Sequence, residues 1–223
     1  MLNTEQHQIV SEAVAKAELS TSGEIVTVLA DSSDGYTDVA LVWAIAIAFT
    51  AMSIFAVFTD FYLGLIDRFV LGGWGHEWTR GEVLTIALAI GLIKFIAMLL
   101  IQLWRPLRMF LIPGPIKRAR VRGRAVDLFK VGTQSRTHGR TGVLIFLSMA
   151  EHRAEIVADE AIAGQVPAEV WGEAMADMLV EIRKGCVGEG IAAGVRDVGV
   201  VLAQHFPRGS EDSNELPDRL IEV

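Results

Sequence analysis

The chain has 223 residues, of which 52% are hydrophobic, with a formal net charge of −7 at pH 7 and a single cysteine, Cys186. One cysteine excludes an internal disulfide, so nothing requires an oxidising compartment. The apolar residues are gathered in two blocks, which excludes an ordinary soluble domain. The first twenty residues, MLNTEQHQIVSEAVAKAELS, lack a basic stretch followed by an apolar core, and no cleavable signal peptide is expected.

Residues 3–20 predict a helix. Asn3 is a good cap with Gln6 three positions on, and Ile9, Val10, Ala13, Val14 and Ala17 form one apolar stripe. Glu24–Ala30 (EIVTVLA) is rich in β-branched residues and predicts a strand, followed by the turn DSSDGYTD. Asp31, Asp34 and Asp38 lie in that turn. One helix and one strand cannot bury a core alone, so a sheet must be completed from elsewhere.

Two apolar blocks come next. Residues 39–59 carry no charge, and residues 83–104 carry one, Lys94. Roughly 20 apolar residues span a bilayer core, so both blocks predict transmembrane helices in a region covering 36–117. Trp43, Trp74, Trp78 and Trp104 lie near the block ends, where amphipathic rings favour the interface. Ten of the twenty Lys and Arg residues fall between Arg105 and Arg140, against Arg68 and Arg80 between the blocks. The positive-inside rule then expects a multi-pass protein of the cell inner (plasma) membrane with both termini cytoplasmic. The intervening stretch, residues 60–82, is expected along the interface, broken at Gly72–Gly73; His76 and Glu77 read as exposed loop residues or as a metal or relay pair. Lys94 reads as an intramembrane charge, either snorkelling or bonded across a helix pair, or else lining an oligomeric transport path.

After the blocks, a basic helix is expected over residues 118–136, with Val121, Ala125, Leu128 and Phe129 on one face. Gly142–Met149 and His152–Ala158 predict an antiparallel hairpin around Ala150-Glu151. Pro167 opens a helix that runs to Lys184, and residues 189–206 form a last helix in which Gly190 and Gly194 permit close packing. Residues 207–223 are acidic and expected to be mobile. Residues 1–35 and 118–206 should therefore complete one α+β domain, a small mixed sheet flanked by helices and interrupted by a two-helix transmembrane hairpin.

Several residues could carry chemistry. Asp31 and Asp34 follow one strand, and Asp159 and Glu160 follow another; if the strand ends coincide, their oxygens suit Ca²⁺ or Mg²⁺. Arg136, His138 and Arg140 could hold a phosphate, with His138 as nucleophile or acid, or form a basic juxtamembrane loop drawn to anionic lipid, and Arg118, Arg122 and Arg124 could meet phosphate or anionic lipid headgroups. Cys186 has no activating neighbour in sequence and reads as a packed thiol. No GxSxG, Walker A, HExxH, paired CxxC or dinucleotide-binding fingerprint is present, and nothing points to nucleic acid.

The order of TSGEIVTVLADSSD, then AVDLF, then GVLIFLSMAEHRAEIVAD, then IAAGVRDVGVVLAQHF resembles the TPM domain family, which includes thylakoid-lumen photosystem-repair proteins and many bacterial membrane proteins. The resemblance covers about residues 1–35 and 118–206. It implies a helix-flanked sheet, an acidic edge that in some members binds calcium or other divalent ions, and acid phosphatase activity. Arg140-Thr141 stands where the family often has an acidic residue, and the acidic pair at the strand turn is represented by Glu151 followed by His152. The family's usual extracytoplasmic placement opposes the charge pattern here. The leading expectation is a membrane-anchored interaction or assembly module, in membrane-protein quality control, whose partners are the bilayer and other membrane proteins or a second copy. The alternative is a divalent-metal-dependent phosphohydrolase.

Overall fold

The computed structural model describes every residue except 1, 74, 133–140 and 210–215. The chain divides into two compact units, one made of Met1–Asp34 with Gly114–Val223, the other of Gly35–Pro113.

The first unit starts with α1 (Thr4–Glu18), capped as its sequence predicts: the Asn3 side chain accepts from the Gln6 N–H, and the Gln6 side chain answers at the Asn3 N–H. Strand β1 (Glu24–Ala30) follows. The chain leaves for the second unit, made of α2 (Thr37–Val57), α3 (Thr59–Phe69), α4 (Arg80–Ile101) and α5 (Arg105–Leu111). It returns as α6 (Gly114–Gly132), β2 (Gly142–Ser148), β3 (Arg153–Ala158), α7 (Glu160–Ala163), α8 (Ala168–Arg183), α9 (Val187–His205) and β4 (Ile221–Glu222).

The sheet order is β3-β2-β1-β4. β1 runs parallel to both β2 and β4, and β2 and β3 form the expected antiparallel hairpin. Every residue of β1 and β2 is buried because both faces are covered. On one face Ile25, Leu29, Val143 and Ile145 pack with Val10 and Val14 of α1 and Ile191, Val195 and Leu202 of α9. On the other, Val26, Val28, Leu144 and Phe146 pack with Val121, Ala125 and Phe129 of α6. Each such side chain, fully buried, contributes about 1.5–3 kcal/mol. The close crossing of α8 and α9 depends on Gly190, where a Cβ would meet Ile182 Cγ1 at 2.6 Å and the Met178 carbonyl oxygen at 2.8 Å.

In the second unit α2 and α4 pack together. Gly91 sits against Met52, and the Gln102 amide donates to the Ala40 carbonyl at 3.1 Å. Trp43 Nε1–H donates to the Leu111 carbonyl at 3.0 Å. Both helices, of 21 and 22 residues, are long and apolar enough to cross a membrane. Leu41, Val42, Ile45 and Phe49 of α2 and Leu84, Leu88, Leu92 and Ile96 of α4 point outward.

Three expectations need correction. The helices begin a few residues before the apolar blocks, since the Thr79–Glu82 capping box starts α4 and Trp104 already caps α5. Residues 60–82 do break at Gly72 and Gly73, both with positive φ, after α3, which occupies most of their first half. The basic helix starts at Gly114, and Pro167 caps α8 from outside. The end of the acidic tail is docked rather than mobile: Leu216 and Leu220 are each 5% exposed, the Val223 N–H donates to the Leu29 carbonyl, and a Val223 carbonyl oxygen accepts the Asp31 N–H. Two buried leucines and an unpaired edge of β1 outweigh the acidity of the segment.

Candidate functional site

The C-terminal ends of β1 and β2 lie side by side because the strands are parallel, and the polar residues after them meet there. Glu151, in the turn between β2 and β3, is 5% exposed. Its carboxylate accepts the Ser33 N–H (3.1 and 3.3 Å), the Ser33 hydroxyl (2.7 Å) and the Ser148 hydroxyl. His152 closes the turn with a left-handed φ of 50°. Asp31 follows β1 directly, and its carbonyl accepts the Ala150 N–H at 2.9 Å. Asp34 pairs with Arg120 of α6 at 3.2 Å. Beside them is a groove of about 520 Å³ lined by Ser33, Asp34, Arg120, Gly123, Arg124 and Asp127. It offers two guanidiniums and two carboxylates, a set suited to a phosphate or to a polar partner.

Asp159 is not part of this site. It lies level with Gly142, whose N–H donates to Asp159 Oδ2 at 3.0 Å, whereas Asp31 follows Ala30, the partner of Ser148. The length of the strand, roughly 20 Å, separates the two carboxylates. A divalent-ion cage of Asp31, Asp34 and Asp159 therefore does not form. The donor set at the acidic end fits a metal poorly too, since Arg120 already pairs with Asp34 and serine donors already occupy Glu151. Among the described residues, no group of three or more His, Cys, Asp or Glu side chains could hold a metal ion.

The basic residues divide between two places. Arg120 and Arg124 line the groove, while Arg118 and Arg122 lie near Glu155 of β3. Arg136, His138 and Arg140 lie outside the described residues. Lys94 is exposed on α4, and the Thr50 hydroxyl bonds to the Ala46 carbonyl within α2. His76 contacts the Glu82 carboxylate at 3.2 Å and stacks edge-on against Trp78, while Glu77 is exposed. Cys186 is half-buried at the start of α9.

Sequence reasoning missed two sets of residues. Ser33 and Ser148 carried no motif. Nor did the carboxylates at the opposite end of the sheet. There Glu18 accepts the Ile25 N–H at 2.8 Å, and Glu24 accepts the Leu216 N–H at 3.2 Å. A cavity of about 250 Å³ includes both together with Asp218 and Arg208. Burial above all pushes the Glu18 carboxyl up to about 8; the Ile25 N–H opposes it, and Glu24 and Asp218 add to it.

Comparison with known proteins agrees with this architecture. The chain is similar in fold to the BA42 protein of the psychrophilic bacterium Bizionia argentinensis, determined by NMR, with a TM-score of 0.57 and 17% identity over 100% of this chain and 96% of that one. No curated protein matches the chain. Residues 118–201, from α6 into α9, match the family model of the TPM domain. Over residues 118–201 the chain is thus similar to the TPM domain family.

Proposed function

We propose that this protein is a membrane-anchored TPM module that binds and holds other membrane proteins in assembly or quality control, with its α+β unit and both termini on the cytoplasmic side of the inner membrane. The outward apolar side chains of α2 and α4 carry the reading, because two helices with such surfaces are stable in hydrocarbon and not in water. They connect into the α+β unit after β1 and before α6, so the domain is tethered at two points of its chain. The ten basic residues from Arg105 to Arg140 support a cytoplasmic side by the positive-inside rule and suit contacts to anionic headgroups. At the acidic end of the sheet, Glu151 and Asp34 hold the fold's own serines and arginine, which supports an interaction role over catalysis. Photo-crosslinkers introduced across the exposed surface of the α+β unit in native membranes test it. Discrete crosslinks to membrane proteins are expected, and their absence at every position would sink the reading. Cysteine labelling from outside should reach Gly73 and neither terminus.

A phosphohydrolase is the second reading, supported by the groove that gathers Ser33, Asp34, Arg120 and Arg124. It predicts phosphatase activity in the solubilised protein that Asp34→Asn removes.

A further inference from the structure

β3 is the last strand on its side of the sheet, and among the described residues its outer edge is open. The Asp159 N–H bonds to the Gly142 carbonyl, and the register runs from Val143 opposite Ala158 to Ser148 opposite Arg153. Bonded pairs alternate in an antiparallel ladder. Arg153, Glu155 and Val157 therefore turn their backbone groups toward β2, while Ala154, Ile156 and Ala158 turn theirs outward. Among the described residues, no backbone hydrogen bond from another segment reaches that outward row. A cavity of about 240 Å³ runs along the edge, with Arg122 and Val126 of α6 on one side and Ala163, Val166 and Trp171 on the other. It is smaller than a typical small-molecule pocket and suits one or two apolar side chains.

The two walls differ in chemistry. Ala154, Ile156 and Ala158 pack with the core shared by α8 and α9, so that wall is apolar, with Val166 buried and Trp171 half-buried. On the α6 side, Arg122, Arg153 and Arg118 all act electrostatically on the carboxylate of Glu155, three positive charges against one negative. A strand added to β3 would send alternate side chains to these two walls. We propose that the open edge of β3 is a strand-addition site for an extended segment of a partner protein in which acidic side chains alternate with apolar ones. Backbone bonds to Ala154, Ile156 and Ala158 supply affinity, and the two walls supply specificity. A second copy is disfavoured, because pairing β3 with β3 would bring two sets of three arginines together. The proposal rests on the reading of this unit as an interaction module and names the partner's chemistry.

The test uses the full-length protein in detergent micelles and a fluorescent peptide of about eight residues alternating glutamate and valine. Binding should slow hydrogen exchange at the amides of 153–158, and a central proline in the peptide should abolish it. Reversing Arg118 and Arg122 together (R118E/R122E) should weaken binding about tenfold or more. The same variant should gain affinity for a peptide with lysine in place of glutamate, a rescue that a merely misfolded variant would not show. Unchanged exchange at 153–158 with saturating peptide overturns the proposal. So does equal slowing by phosphatidylglycerol vesicles alone, which would make the basic wall a lipid surface. If crosslinks to membrane proteins persist while the peptide effect is absent, only this site is wrong; if crosslinks are absent everywhere, the interaction reading falls with it.

Discussion

Glu18 shows how one side chain couples this fold to pH. Its carboxyl is raised from 4.5 to about 8, chiefly by burial, so the folded state holds a proton that the unfolded chain has released. The stability it contributes is fully present below 4.5 and is lost as pH rises through about 8. Glu18→Gln keeps an acceptor for the Ile25 N–H and cannot ionise. The variant should unfold at a higher temperature than the parent at about pH 9 and at the same temperature at about pH 4. A pH-independent difference in thermal unfolding would refute this. Glycines give a second residue-scale contrast. Gly190→Ala forces a methyl against the backbone of Met178 and should cost about 1–3 kcal/mol. Gly123→Ala, in exposed α6 with nothing within 4 Å of the new methyl, should add about 0.5–1 kcal/mol. Denaturant midpoints of the two variants should move in opposite directions.

At the scale of elements, the smallest strand has the widest reach. β4 is two residues long, yet the segment containing it buries Leu216 and Leu220 and covers the free edge of β1. Each leucine contributes about 1.5–3 kcal/mol, partly offset by ordering the segment. Deleting residues 216–223 should therefore lower the unfolding temperature. It should also speed hydrogen exchange at Asp31, whose N–H donates to the Val223 carbonyl at 3.2 Å. If exchange at Asp31 is unaffected, β4 is an incidental contact. The elements that sequence identified best were those whose signals are local. The Asn3 capping box, the β-branched run of β1 and the paired runs of β2 and β3 each involve residues a few positions apart. β4 has no such signal, since two residues become a strand only when an edge is waiting for them.

For the whole molecule, the decisive fact is that β1 lies between β2 and β4 although it precedes the apolar helices and they follow. Residues 114–223 expressed alone lack that strand and should fail to fold, giving poorly dispersed amide NMR signals. Residues 1–34 joined to 114–223 by a flexible linker should recover dispersed spectra without detergent. A well-folded 114–223 fragment would mean that β1 is dispensable and that the discontinuous domain is an accident of topology.

Sequence alone determined the class of α1, β1, β2, β3, α6, α8 and α9, the apolar helix pair and the membership of both flanking segments in one α+β domain, because hydrophobic periodicity and capping act over a few residues. It could not decide which carboxylates meet. Asp31 and Asp159 both follow strands, and only the antiparallel turn of β3 sends Asp159 to the far end of the sheet. Glu18, Glu24 and Asp218 come together across some two hundred residues, as do Glu151 and Ser33 across 118. Strand direction and order decide those meetings, and they arise when the whole sheet closes to bury both faces of β1 and β2, a condition that no local stretch of sequence contains.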